Sequence, residues 1–333
     1  MQLTQHWQRR GPLNTALRPL SALYGGLVKL RRSLYRHGYL RQWRSPVPVI
    51  VIGNITAGGS GKTPLVSWLA QHLLDQGYRP GIVSRGYRAQ NTDWPQLVTP
   101  DSDPEQNGDE PVMLAQQTGC PVGVGPDRPA AVRAILTKHP CDIILSDDGL
   151  QHYALARDIE IAVIGTQGLG NRFLIPAGPL REPPSRLDSV DIIIHNGLTD
   201  TGYQITLSEP TVEPLDPSST TTQPQTLDQY RGQRVHAVAG IAYPERFYDM
   251  LRAQGIQLET HTYPDHHRYA AADLSYHEAL PILMTSKDAV KCRRYPIPNA
   301  WVVQVTAQPD RRFIETLQQQ LTTLCSTKNC ATS

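Results

Sequence analysis

The chain is short of several things at once. Among its 333 residues are 3 Phe and 5 Cys. Cys120, Cys141, Cys292, Cys325 and Cys330 form no C-x-x-C pair and are odd in number. That argues against a disulfide framework or zinc ribbon and for reduced thiols in a cytoplasmic setting. No apolar run approaches the roughly 18 residues that cross a bilayer. The first 15 residues lack the apolar stretch and cleavage site of a secretory signal. No internal repeat is visible. With 39% apolar and 19% charged residues, the chain is neither disordered nor a multi-span membrane protein. Its 28 Pro speak for many turns and against a long coiled coil. The length suits roughly two domains of about 150 residues each.

Acidic residues are missing altogether from residues 1–46, which hold nine of the 32 Lys and Arg. The rest of the chain therefore carries 23 basic against 30 acidic residues, a net −7. A basic arm on an acidic body points to a polyanion: nucleic acid or an anionic membrane surface. Within 16–43, Leu20, Leu23, Tyr24, Leu27, Leu30, Leu34 and Tyr35 recur at helical spacing, with Arg and Lys on the other face. This reads as a helix lying in a membrane interface. Packing on its own domain and binding to nucleic acid are the alternatives.

Beyond residue 46, short Val/Ile-rich runs alternate with helical stretches, which predicts an α/β fold on a parallel sheet. Strands are expected at 47–53, 80–86, 141–148, 159–165 and 189–197, and helices at 109–119 and 127–139. Residues 208–227 are rich in Pro, Ser and Thr and read as a connector. Strands at 234–242, 280–290 and 300–307, and helices at 244–255 and from about 310, follow. The expected organisation is a basic amphipathic segment (1–46), a core (47–207), a linker (208–233) and a smaller C-terminal α/β domain (234–333).

The sharpest local signal is TAGGSGKT (56–63) between a strand and a helix. It resembles the P-loop, in which glycines let backbone N–H groups wrap phosphates at a helix N-terminus. Thr56, Ala57, Gly58, Gly59, Ser60, Gly61, Lys62 and Thr63 are the expected ATP-binding residues. Lys62 would neutralise phosphate charge and Thr63 would offer its hydroxyl to Mg²⁺. The first Gly of the usual pattern is Thr56 here. A second signal is DDGLQH (147–152): Asp147 and Asp148 close a strand where P-loop folds hold Mg²⁺. Asp-Asp-Gly is also good turn chemistry.

Taken together, VIGNITAGGSGKTP (51–64), VSRGY (83–87), GDEPVMLA (108–115), VGPDR (124–128), DDGLQH, LIPAGPLREP (174–183), PDHHRY (264–269) and TSKDAVK (285–291) resemble the tetraacyldisaccharide 4′-kinases, which phosphorylate the lipid A precursor of Gram-negative bacteria. The resemblance runs from the first strand to the last third of the chain. Thr56 then fits, because that family's loop looks like T-x-G-G-[ST]-G-K-T. The resemblance implies a P-loop kinase using ATP and Mg²⁺. Its acceptor would be an acylated glucosamine disaccharide 1-phosphate at the cytoplasmic face of the inner membrane, with no nucleic acid involved. It implies that Asp109 deprotonates the sugar hydroxyl together with His266, a sensible base pairing. Unaided, GDEP reads as helix-start chemistry. Glu110 is a further candidate metal ligand, and Arg128 and Arg181 are candidate phosphate contacts by their bidentate forks. Lys287 and Asp288 have no assigned role. The competing reading is a Min/Par-type membrane-docked switch ATPase. Those proteins carry Lys at the start of K-G-G-x-G-K-T, where this chain has Ala57.

Overall fold

The computed structural model describes residues 7–87, 89–197, 199, 202–216 and 225–328, the side chains of 325–328 excepted. Parts of the expected connector (217–224), the thiols of Cys325 and Cys330, and residues 1–6 and 329–333 lie outside them. Strands are β1 (Val49–Gly53), β2 (Pro80–Ser84), β3 (Gln96–Val98), β4 (Val122–Val124), β5 (Ile143–Asp147), β6 (Ile159–Ile164), β7 (Ile192–Asn196), β8 (Tyr203–Leu207), β9 (Thr211–Pro214), β10 (Gln225–Thr226), β11 (Arg234–Ala239), β12 (Gln257–Thr262), β13 (Ile282–Thr285), β14 (Ala300–Gln304) and β15 (Ala307–Pro309). α-Helices are α1 (Pro12–Arg36), α2 (Lys62–Asp75), α3 (Pro104–Asn107), α4 (Asp109–Thr118), α5 (Arg128–Lys138), α6 (Pro244–Ala253), α7 (Ser286–Cys292) and α8 (Arg311–Lys328).

Nine strands form one sheet in the order β15-β8-β7-β6-β1-β5-β2-β4-β3. Its interior is parallel, while β3 and β15 pair antiparallel at the two edges. β1, β2, β5 and β6 are buried along their whole length. That is why they read as unbroken apolar runs rather than alternating ones. One face is covered by Leu65, Leu69 and Leu73 of α2, Val112 and Leu114 of α4, and Phe313 and Leu317 of α8. The other is covered by Ala131, Val132 and Ile135 of α5, with Leu155 and Leu180. The chain moves out to one side of β1 and then, after β5, to the other. The crevice at the carboxyl end of β1 is therefore the place where a parallel sheet opens a ligand site.

A second sheet has the order β10-β9-β14-β13-β11-β12. Phe247, Tyr248 and Leu251 of α6 pack on one face, and Ala289 and Cys292 of α7 on the other. Three expectations need correction. The stretch 208–233 is not a bare linker, because β9 and β10 within it belong to the second sheet. The tail does not stay with the smaller body: β15 pairs with β8, and Phe313, Leu317 and Leu321 are buried in the core of the large sheet. The run 280–290 is a strand only to Thr285, whose hydroxyl accepts the Asp288 N–H and starts α7.

α1 docks with its polar side inward. Asn14 Nδ2 donates to the Ala177 carbonyl at 2.7 Å, Ser21 Oγ donates to the Leu174 carbonyl at 2.7 Å, and Tyr24 Oη donates to the Arg181 carbonyl at 3.0 Å. Gly25 permits this approach, since a Cβ there would meet Leu174 at 2.6 Å. Leu13, Leu20, Leu23, Leu27 and Leu30 face solvent at 44–64% exposure. Among the described residues no helix is long and apolar enough to cross a membrane.

Candidate active site

The strand β1 ends at Gly53, residues 54–61 form the loop, and Lys62 opens α2. Gly61 has φ +82°, and a Cβ there would sit 2.2 Å from Asn196 Nδ2, so glycine is required on both counts. Asn196 Nδ2 in turn donates to the Ser60 carbonyl at 3.2 Å. The GPLREP stretch runs beside the loop. Ala57 N–H donates to the Pro179 carbonyl at 2.7 Å, and Arg181 N–H to the Ile55 carbonyl at 2.7 Å. That pairing aims the Arg181 side chain at Asp148. Thr56, Ala57, Gly58, Gly59 and Ser60 line a cavity shared with Gly165 and Tyr243.

Asp148, with φ +48°, is ion-paired on both oxygens: Lys62 Nζ at 3.3 Å and Arg181 Nη1 at 2.9 Å. Burial pushes its carboxyl up, but the two cations outweigh burial and hold it down at about 2. Arg181, expected to contact phosphate, and Asp148, expected to hold Mg²⁺, face each other across this ion pair. Asp147 shifts the other way. It is buried, and its Oδ1 has no hydrogen-bond partner. Burial first, then the charges of Glu110 and Asp148, raise its carboxyl to about 7. Arg128, the other expected phosphate contact, is only 2% exposed; its Nη2 donates to the Asp147 carbonyl at 2.6 Å, and its Nη1 is buried without a hydrogen-bond partner. Burial lowers it to about 10.

Asp109, the first residue of α4, meets His266 from the second body: Oδ2 to Nδ1 is 3.0 Å across 157 positions of sequence. His266 adopts φ +64°, an unfavourable conformation for a residue with a side chain. Its other nitrogen, Nε2, accepts from Lys287 Nζ at 3.3 Å. Since an ammonium only donates, Nε2 carries the lone pair and Nδ1–H points at Asp109. Lys287 also reaches Asp265 at 3.0 Å and Glu110 at 3.7 Å. Lys291, one turn along α7, lies 3.9 Å from Asp109 Oδ2 and 2.9 Å from Asp288 Oδ1. Asp288 is fully buried and also accepts from Tyr269 Oη, Thr285 Oγ1 and the Gly240 N–H. It anchors α7 in the second sheet. Lys287 and Lys291 are the residues whose place at the site sequence reasoning missed. Their i, i+4 spacing in TSKDAVK is the available signal, masked by reading that segment as a strand. His267 turns away to Asp273 at 3.1 Å.

The site therefore joins a phosphate loop, a buried carboxylate and a carboxylate–imidazole–ammonium row. Comparisons agree on its kind. The profile of the family described as Tetraacyldisaccharide-1-P 4′-kinase matches residues 13–322. A protein named Tetraacyldisaccharide 4′-kinase from Alkalilimnicola ehrlichii is 47% identical, covering 98% of this chain and 99% of its own. One of the same name from Azoarcus is 49% identical, over 94% of each chain. The fold is similar to a crystal structure described as the "apo" form of LpxK from Aquifex aeolicus in complex with ATP. Its TM-score is 0.81 at 28% identity, over 94% of this chain and 99% of that one. Identity of this extent sets aside the switch-ATPase reading: the chain belongs to the tetraacyldisaccharide-1-P 4′-kinase family.

Proposed function

We propose that this kinase transfers the γ-phosphoryl of ATP to the 4′-hydroxyl of a tetraacylated glucosamine disaccharide 1-phosphate, working on the cytoplasmic face of the inner membrane. The observation that carries the residue assignment is the 3.0 Å Asp109–His266 contact. It stands beside Glu110, whose charge is felt by Asp147 at the end of β5.

With the Ala57 N–H taken by the Pro179 carbonyl, the loop N–H groups of 58–61 cradle the β- and γ-phosphates, and Lys62 neutralises them as they arrive. Asp148, itself paired with Arg181, holds Lys62 in place until then. Asp147, Thr63 and Glu110 suit Mg²⁺, since the unpartnered Oδ1 of Asp147 and the carboxylate crowding around it are what a hard cation relieves. When bound, Mg²⁺ neutralises charge that builds on the parting phosphates. Asp109 accepts the proton of the 4′-hydroxyl. As that proton leaves, the sugar oxygen bonds to the γ-phosphorus and the bond to the ADP oxygen breaks. His266 donates Nδ1–H to Asp109 and orients it; Lys287 fixes that tautomer.

The outward leucine stripe of α1 supports a membrane-surface location. A helix that turns its small and polar residues inward and five leucines outward has an apolar face to bury elsewhere. Lys29 and Arg31 flank that stripe and favour anionic headgroups. The test is an assay of the purified protein with ATP and the acylated disaccharide 1-phosphate in detergent micelles, the new phosphate being located by NMR. Phosphate at the 4′ position is expected. ATP consumption with no phosphate on the sugar would overturn the reading.

A further inference from the structure

We propose that His236, Glu259 and His261 form a binding site for one divalent transition-metal ion of the Zn²⁺ class, outside the kinase cleft. The parallel register pairs His236 of β11 with Glu259 of β12, and His261 follows two residues later. Alternate residues of a strand share a face, so all three side chains stand on one side of the sheet. One ligand atom from each lies within 4.8 Å of the others. His236 Nδ1 is 3.1 Å from His261 Nε2 and 3.4 Å from Glu259 Oε2. Ligands at about 2.0–2.1 Å around a tetrahedral ion are about 3.3 Å apart, so these separations are already those of a metal site.

The surroundings orient the ligands. His236 is buried, and its Nε2–H donates to the Glu278 carbonyl at 3.1 Å, which leaves the Nδ1 lone pair facing the cluster. A backbone acceptor on the far nitrogen is the usual way a metal-binding imidazole is held. Glu259 turns its other oxygen, Oε1, to Arg234, which also pairs with Glu278 at 2.9 Å. Oε2 is thus aimed at a lone pair 3.4 Å away, a contact between two acceptors that a cation between them relieves. Tyr276 stacks over His261 with ring centroids 4.0 Å apart and walls the cluster on one side. Glu259 keeps 36% of its side chain exposed, so an ion can enter and a water can fill the fourth position. Two imidazoles and a carboxylate suit Zn²⁺ better than Mg²⁺ or Ca²⁺.

The ion would clamp the edge strand β12 to β11, five residues before His266. It has no part in the phosphoryl transfer proposed above. The test uses the full chain and two variants at half-buried ligands, His261→Gln and Glu259→Gln. Co²⁺ is titrated as a visible stand-in, followed by Zn²⁺ competition and thermal unfolding with and without Zn²⁺. One equivalent of Co²⁺ should give the intense bands of a nitrogen-containing four- or five-coordinate site, unlike the faint bands of an all-oxygen octahedral site at Asp147. Zn²⁺ should displace it and raise Tm. Each variant should bind Co²⁺ at least about 100-fold more weakly and lose the Tm response. Equal binding by wild type and variants overturns the proposal. So does a wild type with no intense bands, including one in which ring NMR finds a proton on His236 Nδ1 in place of a metal.

Discussion

Lys287 Nζ lies 3.3 Å from Nε2 of His266, on the side of the ring opposite Asp109. The imidazole is thereby gripped at both nitrogens, and its tautomer follows from a neighbour that cannot accept a hydrogen bond. On the proposed mechanism, Asp109 and His266 act as one unit. Asp109→Ala and His266→Ala should each lower turnover by about 10²–10⁴-fold, and the double variant should be little worse than the poorer single one. Kinetics at saturating ATP, with nucleotide binding measured in parallel, decide it. Additive losses would mean separate tasks. If Asp109→Ala weakens ATP binding alone and spares turnover, the base lies elsewhere.

On the same mechanism, Lys287 acts through His266 rather than on substrate. Lys287→Ala should lower kcat by shifting the ring to the other tautomer, and Lys287→Arg should restore part of it, since the donor is kept. KM for ATP should stay close to wild type in both. A loss confined to KM would make Lys287 a nucleotide contact instead.

The phosphate loop gives a different signature. Lys62→Ala should lower turnover by several orders of magnitude with the fold intact. Near-normal activity in that variant would place the nucleotide site elsewhere. Asp148→Asn removes the counter-ion of both Lys62 and Arg181. The Asp148 carboxyl is held at about 2, below its ordinary 3.8, so its stabilising contribution is complete above about pH 4 and disappears as pH falls through 2. The stability gap between wild type and Asp148→Asn, measured by urea unfolding of the metal-free protein, should narrow as pH falls from about 4 toward 2; its slope near neutral pH belongs to Asp147, which the Asp148 charge helps raise to about 7. A gap that does not narrow below about pH 4 contradicts the ion-pair assignment.

The parallel sheet was legible because its strands are buried on both faces and therefore read as continuous Val and Ile. β3, β4 and β12 were not: the first two are three residues long, and QLETHT on β12 mixes polar residues at an edge. The loop 56–63 could be located from glycines and Lys62 alone, because its chemistry is local. The pairing of Asp109 with His266 came only from family resemblance, since nothing local links residues 157 apart. Arg128 and Arg181 show the limit of residue type. An arginine suits phosphate, carboxylate or carbonyl equally, and only the fold shows that the Asp147 carbonyl and the Asp148 carboxylate lie within reach of them. Likewise, helical periodicity found the leucines of α1 but not the direction they face, which Asn14, Ser21 and Gly25 decide by docking on 174–181.

The return of the tail to the large sheet has an energetic consequence. Phe313 is fully buried among the side chains of α2 and the sheet, and Trp68 and Tyr203 lie against it with ring centroids 6.1 and 6.0 Å away. Phe313→Ala should destabilise the large body by about 3–5 kcal/mol, read as a lowered midpoint in guanidinium unfolding. Truncation before residue 307 should remove β15 and α8 together and leave Leu73 and Ile205 exposed, giving aggregated protein. A soluble, ATP-binding truncation would show that the tail is dispensable to the large body.

The leucine face of α1 makes the membrane assignment testable apart from catalysis. Leu23 and Leu27 are 64% and 58% exposed and one turn apart, so Glu at both positions disturbs no packing but places charge where acyl chains would lie. Such a variant should keep wild-type Tm and full activity on a short-chain, micelle-dispersed acceptor. It should bind vesicles containing anionic lipid at least about 10-fold more weakly, since each buried leucine is worth about 1.5–3 kcal/mol. High salt should release part of the wild type from such vesicles, because the basic residues beside the stripe are screened while the leucines are not. Sedimentation with vesicles of neutral and anionic composition measures both effects. Unchanged binding by the double variant would mean that α1 does not supply the membrane contact. Release by salt alone, with no effect of the glutamates, would reduce that contact to electrostatics.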